Sequence, residues 1–249
     1  MSAVRAEHLA AGYRPGEPVL RDVEFAAEPG QTVAVLAPNG GGKTTLFRTL
    51  LGELTPMAGD FAVDGTVASV PQHDHARLDF PVTALDVALM GAYGRTPWWR
   101  RIARADRDAA RDALDRGGLA AEAGRRYGAL SGGQRRRATI ARAIVQDARV
   151  LLLDEPFAGV DRASEERILA VLDELASEGR TLLVATHDVE QSRRWSRVLC
   201  LNRRQIAFGA PEETLTAPTL AQTYGDELVV LREPRMGLTI QHHDDRGEA

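Results

Sequence analysis

The feature that most limits the folds open to this chain of 249 residues lies near its start. An apolar run, Thr32 to Leu36, meets the loop Ala37-Pro38-Asn39-Gly40-Gly41-Gly42-Lys43-Thr44-Thr45, and a helical run, Leu46 to Leu51, follows at once. Strand, glycine loop and helix in that order form a P-loop, the element that wraps a phosphate chain. Glycines let backbone N–H groups surround the phosphates, the helix N-terminus adds partial positive charge, and Lys43 neutralises the terminal phosphates. Asn39, Gly40, Gly41, Gly42, Lys43, Thr44 and Thr45 are therefore the expected nucleotide contacts, with the Thr44 hydroxyl directed to Mg²⁺, a hard cation that prefers oxygen. The pattern's first glycine is Ala37 here, which restricts the backbone where strand turns into loop. Because Gly40, Gly41 and Gly42 keep the freedom where phosphate approaches, the change is expected to be tolerated. A glycine-rich turn with no ligand is the alternative, and the Lys-Thr pair argues against it.

A second constellation follows in Leu151-Leu152-Leu153-Asp154-Glu155-Pro156, an apolar strand closed by two carboxylates and a proline that ends ladder pairing. Beside a bound Mg-nucleotide the first acid suits metal coordination and the second suits polarising the attacking water. Asp154 is accordingly assigned to Mg²⁺ and Glu155 to general base. Leu130-Ser131-Gly132-Gly133-Gln134 opens another helix, so the chain carries two glycine-rich helix N-termini but a single Lys-Thr pair. The economical reading is that the second cradle closes on the γ-phosphate held by another copy, with ATP joining a dimer. Gly132 and Gly133 serving only as an entry turn is the other reading.

Short β-type runs, Thr32 to Leu36, Val67 to Val70, Val150 to Asp154 and Leu182 to Thr186, each precede a loop and a helical pattern, which predicts an α/β fold with a mostly parallel sheet flanked by helices. From about residue 81 to 146 the β signal disappears. Ala109, Ala110, Ala113 and Leu114 recur there at helical spacing, as expected of an inserted helical subdomain. Asp161 is placed to cap a helix whose apolar side is Ile168, Leu169, Val171, Leu172 and Leu175. Residues 1–225 are read as one domain, and the polar stretch 226–249 as a tail with little to bury. Lys and Arg total 31 against 35 Asp and Glu, so the net charge of −4 gives no basic field to draw nucleic acid, and none is expected as a partner. The single cysteine, Cys200, lies in Val198-Leu199-Cys200-Leu201 and reads as a small buried hydrophobe. The apolar runs fall far short of the ~20 residues that cross a bilayer as a helix, and the first residues lack the apolar core of a secretory signal.

Taken together, these residues resemble the ABC transporter ATPase family over about residues 4 to 225, with Leu130 to Gln134 as its signature and an antiparallel β portion at the N-terminus. By that resemblance Ser131 and Gly133, with Gly132 and Gln134, touch the ATP of a second copy. Tyr13 matches the aromatic that stacks on adenine, a contact of ~1–3 kcal/mol by analogy with bases on aromatic side chains; a packing role near a turn is the alternative. Gln72 matches the glutamine that meets Mg²⁺ and relays nucleotide state. His187, ending a strand in Ala185-Thr186-His187-Asp188, matches the histidine that contacts the γ-phosphate. Asp161 matches a loop crossing the dimer interface, and helix capping is an equally physical role for it. The resemblance implies a motor at the cytoplasmic face of the membrane, working with a second copy of itself, a membrane-spanning permease subunit and, indirectly, an extracytoplasmic solute-binding protein.

Phe80 to Gly91, with Tyr93-Gly94-Arg95 and Trp98-Trp99-Arg100-Arg101, is similar to the subfamily that imports manganese, zinc or iron; an iron-siderophore, haem or cobalamin importer is the alternative. The two tryptophans among Arg95, Arg100, Arg101 and Arg104 form an amphipathic patch expected to dock the permease. His73, His75, His242 and His243 are scattered and read as inert. A P-loop kinase would have no use for Leu130 to Gln134 beside His187, and soluble members of the family usually carry two cassettes or long coiled-coil arms.

Overall fold

A computed structural model describes residues 2–72, 80–95, 99, 101–225, 228–230 and 238–240. In chain order the elements are β1 (Val4–Ala11), β2 (Leu20–Ala27), β3 (Thr32–Leu36), α1 (Lys43–Leu50), β4 (Ala58–Val63), β5 (Val67–Val70), α2 (Ala84–Leu89), α3 (Arg104–Arg116), α4 (Gly132–Val145) and β6 (Val150–Asp154). They continue with α5 (Arg162–Ser177), β7 (Thr181–Thr186), α6 (Val189–Ser192), β8 (Arg197–Leu201), β9 (Gln205–Gly209), α7 (Pro211–Thr214), α8 (Ala217–Tyr224), β10 (Leu228–Val230) and β11 (Leu238–Ile240). The chain divides into two compact units, one of Met1–Val4, Ala26–Gln31 and Ala62–Val184, the other of Arg5–Phe25, Thr32–Phe61 and Ala185–Ala249.

In the first unit β5, β6 and β7 lie side by side, with β5 and β6 parallel from Val67 opposite Val150 to Val70 opposite Leu153. Leu151, Leu152, Leu153, Leu182, Leu183 and Val184 are fully buried, as strands covered on both faces must be. The stretch expected to be a helical subdomain holds α2, α3, α4 and two short 3₁₀ turns, and its three helices pack on one another. Thr83 caps α2 by accepting from the Asp86 N–H at 3.2 Å. The Asp86 carboxylate accepts in turn from the Thr83 N–H at 2.9 Å, so two otherwise orphaned donors are satisfied reciprocally. Of the apolar stripe predicted for α5, Ile168, Val171, Leu172 and Leu175 are buried and Leu169 is half-buried.

In the second unit β3 pairs with β8 in parallel and β8 with β9 antiparallel. The sheet β2-β1-β4, almost wholly in this unit, is antiparallel: Val19 donates to the Ala11 carbonyl while Met57 donates to that of Ala10. Its inward residues show a detail that strict alternation would not predict. Buried positions run Val4, Ala6, then Leu9 and Ala11 in β1, and Leu20, then Val23, Phe25 and Ala27 in β2. The alternation slips by one residue at His8 and at Asp22. These two positions have left-handed φ of 46° and 50°. Their side chains join at 2.7 Å. The Asp22 hydrogen bond and charge raise the His8 pKa. Cys200 is fully buried in β8 and its thiol is pushed up to about 11 by burial, matching its reading as a hydrophobe. Inside the stretch read as a polar tail, β10 and β11 pair antiparallel, Leu228 opposite Ile240.

Candidate nucleotide-binding site

The P-loop is built where β3, buried along its whole length, delivers the chain into a tight turn closed by the Gly41 N–H on the Pro38 carbonyl at 3.0 Å. Gly42 starts α1 with φ of 108° and no side-chain cap. A Cβ there would stand 2.2 Å from Leu20 Cδ2, so no other residue fits. The cap position therefore supplies no side-chain acceptor, the kind of helix start that suits an anion. Lys43 Nζ donates to the Ala37 carbonyl at 2.6 Å, which holds the ammonium against the loop. Ala37 is buried and its φ is not positive, so glycine is not demanded at the loop's first position and the alanine is accommodated. Thr44 is exposed at the start of α1, with its hydroxyl chemistry suited to Mg²⁺.

Tyr13 leaves β1 on the loop that turns at Pro15-Gly16, and it is 51% exposed. The structure brings it to the P-loop helix: Thr45 Oγ1 donates to the Tyr13 hydroxyl at 3.4 Å, and the Arg48 guanidinium lies over the ring, 5.5 Å from its centre. Hydrogen bonding to Glu53, then to Tyr13, raises the Arg48 pKa. Elsewhere in the second unit His187 follows β7 half-buried, and its neighbours fix the backbone around it. Asp188 caps α6 by accepting from the Gln191 N–H at 2.9 Å, and the Asp188 N–H donates to Thr186 Oγ1 at 3.1 Å.

In the first unit β6 ends on Asp154 and the chain turns at Glu155, whose φ of 46° puts a non-glycine residue in the left-handed region. Such strain costs on the order of 1–3 kcal/mol and is concentrated at functional sites. The turn is closed by the Ala158 N–H on the Glu155 carbonyl at 3.2 Å.

The second glycine-rich helix start differs from the first. Ser131 Oγ accepts from the Gln134 N–H at 3.2 Å. Gln134 Oε1 accepts from the Ser131 N–H at 2.9 Å, completing a capping box that occupies both side chains. The two glycines are not equivalent. A Cβ on Gly133 would meet Ser164 Oγ at 2.4 Å, whereas the nearest atom to a Cβ on Gly132 is the Gly159 carbonyl at 3.9 Å. Gly133 lets the first turn of α5 approach; Gly132 faces open space. Asp161 caps α5, accepting from the Ser164 N–H at 2.9 Å and hydroxyl at 2.8 Å, and these bonds lower its pKa. The capping role predicted for Asp161 is therefore in place, and through Ser164 it adjoins Gly133.

Gln72 follows β5 and lines a cleft of about 190 Å³ together with Gly132, Arg136 and Gly159. The sequence reading missed Arg136, which donates to the carbonyls of Pro71 and Gln72 and so ties α4 to this segment. The signal was available in the run Arg135-Arg136-Arg137. Three consecutive cations so near a helix start gain nothing from the helix dipole and are placed to donate to carbonyls of neighbouring segments. Arg135 finds the Leu130 carbonyl at 3.0 Å and Arg137 that of Gly117 at 3.2 Å. Of the residues read as a docking patch, Trp99 is 69% exposed and Arg101 and Arg104 are exposed; Phe80 and Tyr93, outside that reading, are 62% and 55% exposed. Trp98, Arg100, His73, His75, His242 and His243, and the side chain of Arg95, lie outside the described residues.

The two glycine-opened helices and the strand that runs into Asp154-Glu155 have a counterpart among known proteins: the model of the ABC transporter family matches residues 20–158. The chain belongs to the ABC transporter ATP-binding family. It is 38% identical over 94% of its length to the manganese transport system ATP-binding protein of Bacillus subtilis, covering 96% of that protein. It is 39% identical over 99% of its length to the zinc transport system ATP-binding protein of Treponema pallidum, again covering 96%. Among solved structures, an inward-facing ABC transporter provisionally classed as metal-chelate type matches with a TM-score of 0.82 and 32% identity, covering 90% of this chain and 89% of that one. The cbiO1 protein of Clostridium perfringens, part of the ABC transporter complex cbiONQ, matches at 0.76 and 27%, covering 89% and 93%. As a family member the chain is an ATPase: it binds ATP and hydrolyses it in the service of transport, and subunits of this kind dimerise and work with membrane permease components. No described helix is long and apolar enough to cross a membrane itself.

Proposed function

We propose that this ATPase drives import of a divalent metal ion, manganese, zinc or iron, from the cytoplasmic face of the membrane, with a solute-binding protein delivering cargo to its permease. The observation that carries the ATPase chemistry is the uncapped start of α1 at Gly42 with Lys43 at its first position; the cargo reading is supported by the named transport systems of its relatives.

In this reading the N–H groups of Gly40 to Thr45 and the Lys43 ammonium hold the β- and γ-phosphates, and the Tyr13 ring carries the adenine. Thr44, Asp154 and Gln72 are the oxygen donors for Mg²⁺, a set of hydroxyl, carboxylate and amide oxygens that suits a hard cation. Held there, Mg²⁺ would supply neutralisation of the phosphate charge. Glu155 accepts a proton from the attacking water as its oxygen bonds to the γ-phosphorus and the bond to the ADP oxygen breaks, yielding ADP and inorganic phosphate. His187 donates to the γ-phosphate and stabilises charge on its oxygens. Ser131, Gly132, Gly133 and Gln134 of a second copy close over the same γ-phosphate, with Asp161 at that interface. Phe80, Tyr93 and Trp99 supply an aromatic surface for the permease.

The test is uptake of radiolabelled Mn²⁺ and Zn²⁺ by cells whose own copy is replaced by the parent chain or by Lys43→Ala. Loss of uptake of one metal in the variant supports motor and cargo together. Unchanged uptake of both, with ATPase activity intact in the purified parent, removes the metal-import reading and leaves the ATPase standing.

A further inference from the structure

Tyr13 poses a problem for its proposed role. An aromatic ring that is half exposed on a loop is free to change rotamer, and stacking affinity is lost in proportion to the fraction of time the ring is misplaced. Around this ring the structure shows a holding device that the family reading does not use. The Arg48 guanidinium lies 5.5 Å from the ring centre. It is itself anchored, with Nε donating to Glu53 Oε2 at 2.9 Å, and the anchor is short because the Glu53 N–H donates to the Arg48 carbonyl at 2.9 Å. Thr45 Oγ1 reaches the ring's hydroxyl at 3.4 Å. Arg48 and Thr45 both project from α1, the helix whose N-terminus forms the phosphate cradle.

We propose that Arg48, tethered by Glu53, is a positioning residue for the nucleobase: it covers one face of the Tyr13 ring and fixes its plane, leaving the opposite face as the platform for a purine. The inference rests on the reading of Tyr13 as the base-stacking residue. It makes the base platform and the phosphate cradle parts of one rigid helix, so that base and phosphates are bound in fixed register. The guanidinium also attracts the electron-rich face of the ring.

The test compares ligands with and without a base. Affinities of the full chain for ADP and for inorganic pyrophosphate, both with excess Mg²⁺, are measured by displacement of a fluorescent ADP from the parent, Tyr13→Ala, Arg48→Ala and the double variant. Arg48 is exposed on α1, and circular dichroism verifies that each variant is folded. Tyr13→Ala is expected to weaken ADP about 5- to 150-fold and pyrophosphate not at all. Arg48→Ala is expected to weaken ADP about two- to fivefold, pyrophosphate not at all, and to add nothing in the Tyr13→Ala background. Glu53→Gln should give a smaller change of the same pattern. Equal weakening of ADP and pyrophosphate by Arg48→Ala would overturn the proposal, because Arg48 would then act on the phosphates or on the helix. So would an unchanged ADP affinity in Arg48→Ala beside a weakened one in Tyr13→Ala, which leaves the stacking role of Tyr13 intact. If Tyr13→Ala leaves the ratio of the two affinities unchanged, the stacking reading itself fails and this inference with it.

Discussion

The two glycine-opened helices, α1 and α4, look alike in sequence and are finished in opposite ways. At α1 the cap position is Gly42, left-handed and without a side-chain hydrogen bond, so no side chain at the cap competes with a ligand for the helix start. At α4 Ser131 and Gln134 satisfy each other's N–H groups, so the cap is supplied by the helix's own side chains. The difference teaches what each is for. A helix that caps itself does not need an anion to be stable; it can present a preformed surface that engages phosphate only when another molecule brings it. A helix that lacks a cap is a receptor in its own right. Gly132 is open to solvent and Gly133 is pressed against Ser164, so a side chain fits at the first position and not at the second.

Substitutions can break or sharpen this contrast. The largest effect is expected from Glu155→Gln, which keeps both helix starts and removes the base; steady-state ATP hydrolysis should fall about 10²- to 10⁴-fold. Next is Lys43→Ala at the receptor helix, where loss of a preorganised charge should lower hydrolysis by about 10²- to 10³-fold and weaken nucleotide binding in direct titration. The two glycines of α4 should then separate. Gly133→Ala, overpacked against Ser164, should lose ~1–3 kcal/mol of stability by denaturant unfolding. Gly132→Ala should retain stability and lose ATP-dependent association instead. Ser131→Ala should remove one half of the capping box, at a cost of ~1 kcal/mol, and lower the melting temperature by about 2–4 °C.

A smaller effect concerns pH. Cys200 has its thiol raised from 9.0 to about 11 by burial, so the folded state keeps a proton that the unfolded state releases. Stability is therefore fully present below about pH 9 and falls as pH rises through 9 to 11, by ~2–3 kcal/mol at most. Thermal melts of the parent and Cys200→Ala across that range check the sign: the parent should lose more stability on going alkaline.

Much of this molecule is legible in its sequence because the strongest signals are backbone signals. Glycines, a lysine and a run of leucines ending in acids state where the chain turns and what it buries, and β3, α1, β6 and α5 fall where those signals put them. The cap made by Asp161 was likewise readable, since an Asp before acids and an apolar stripe has few other uses. What sequence did not disclose depends on contacts between residues far apart. The Arg136 bonds to Pro71 and Gln72 and the Arg48 cover on Tyr13 arise only when α4 and α1 fold beside loops remote in the chain. The paired left-handed residues His8 and Asp22 escaped for a similar reason: neither is glycine, and each is tolerated because the partner strand carries the matching irregularity. Glu155 combines both cases. The role proposed for it follows from the Asp-Glu pair, but its strained backbone is visible only in three dimensions.

The most direct test of the self-capped helix as a surface for another copy's nucleotide is the solution mass of purified Glu155→Gln by light scattering, with and without saturating Mg-ATP, alone and combined with Gly132→Arg. The account predicts a monomer without nucleotide, a dimer with ATP, and a monomer under both conditions once Gly132 is replaced. A Glu155→Gln protein that binds ATP yet stays monomeric, or a dimer indifferent to the substitution of Gly132, would contradict it.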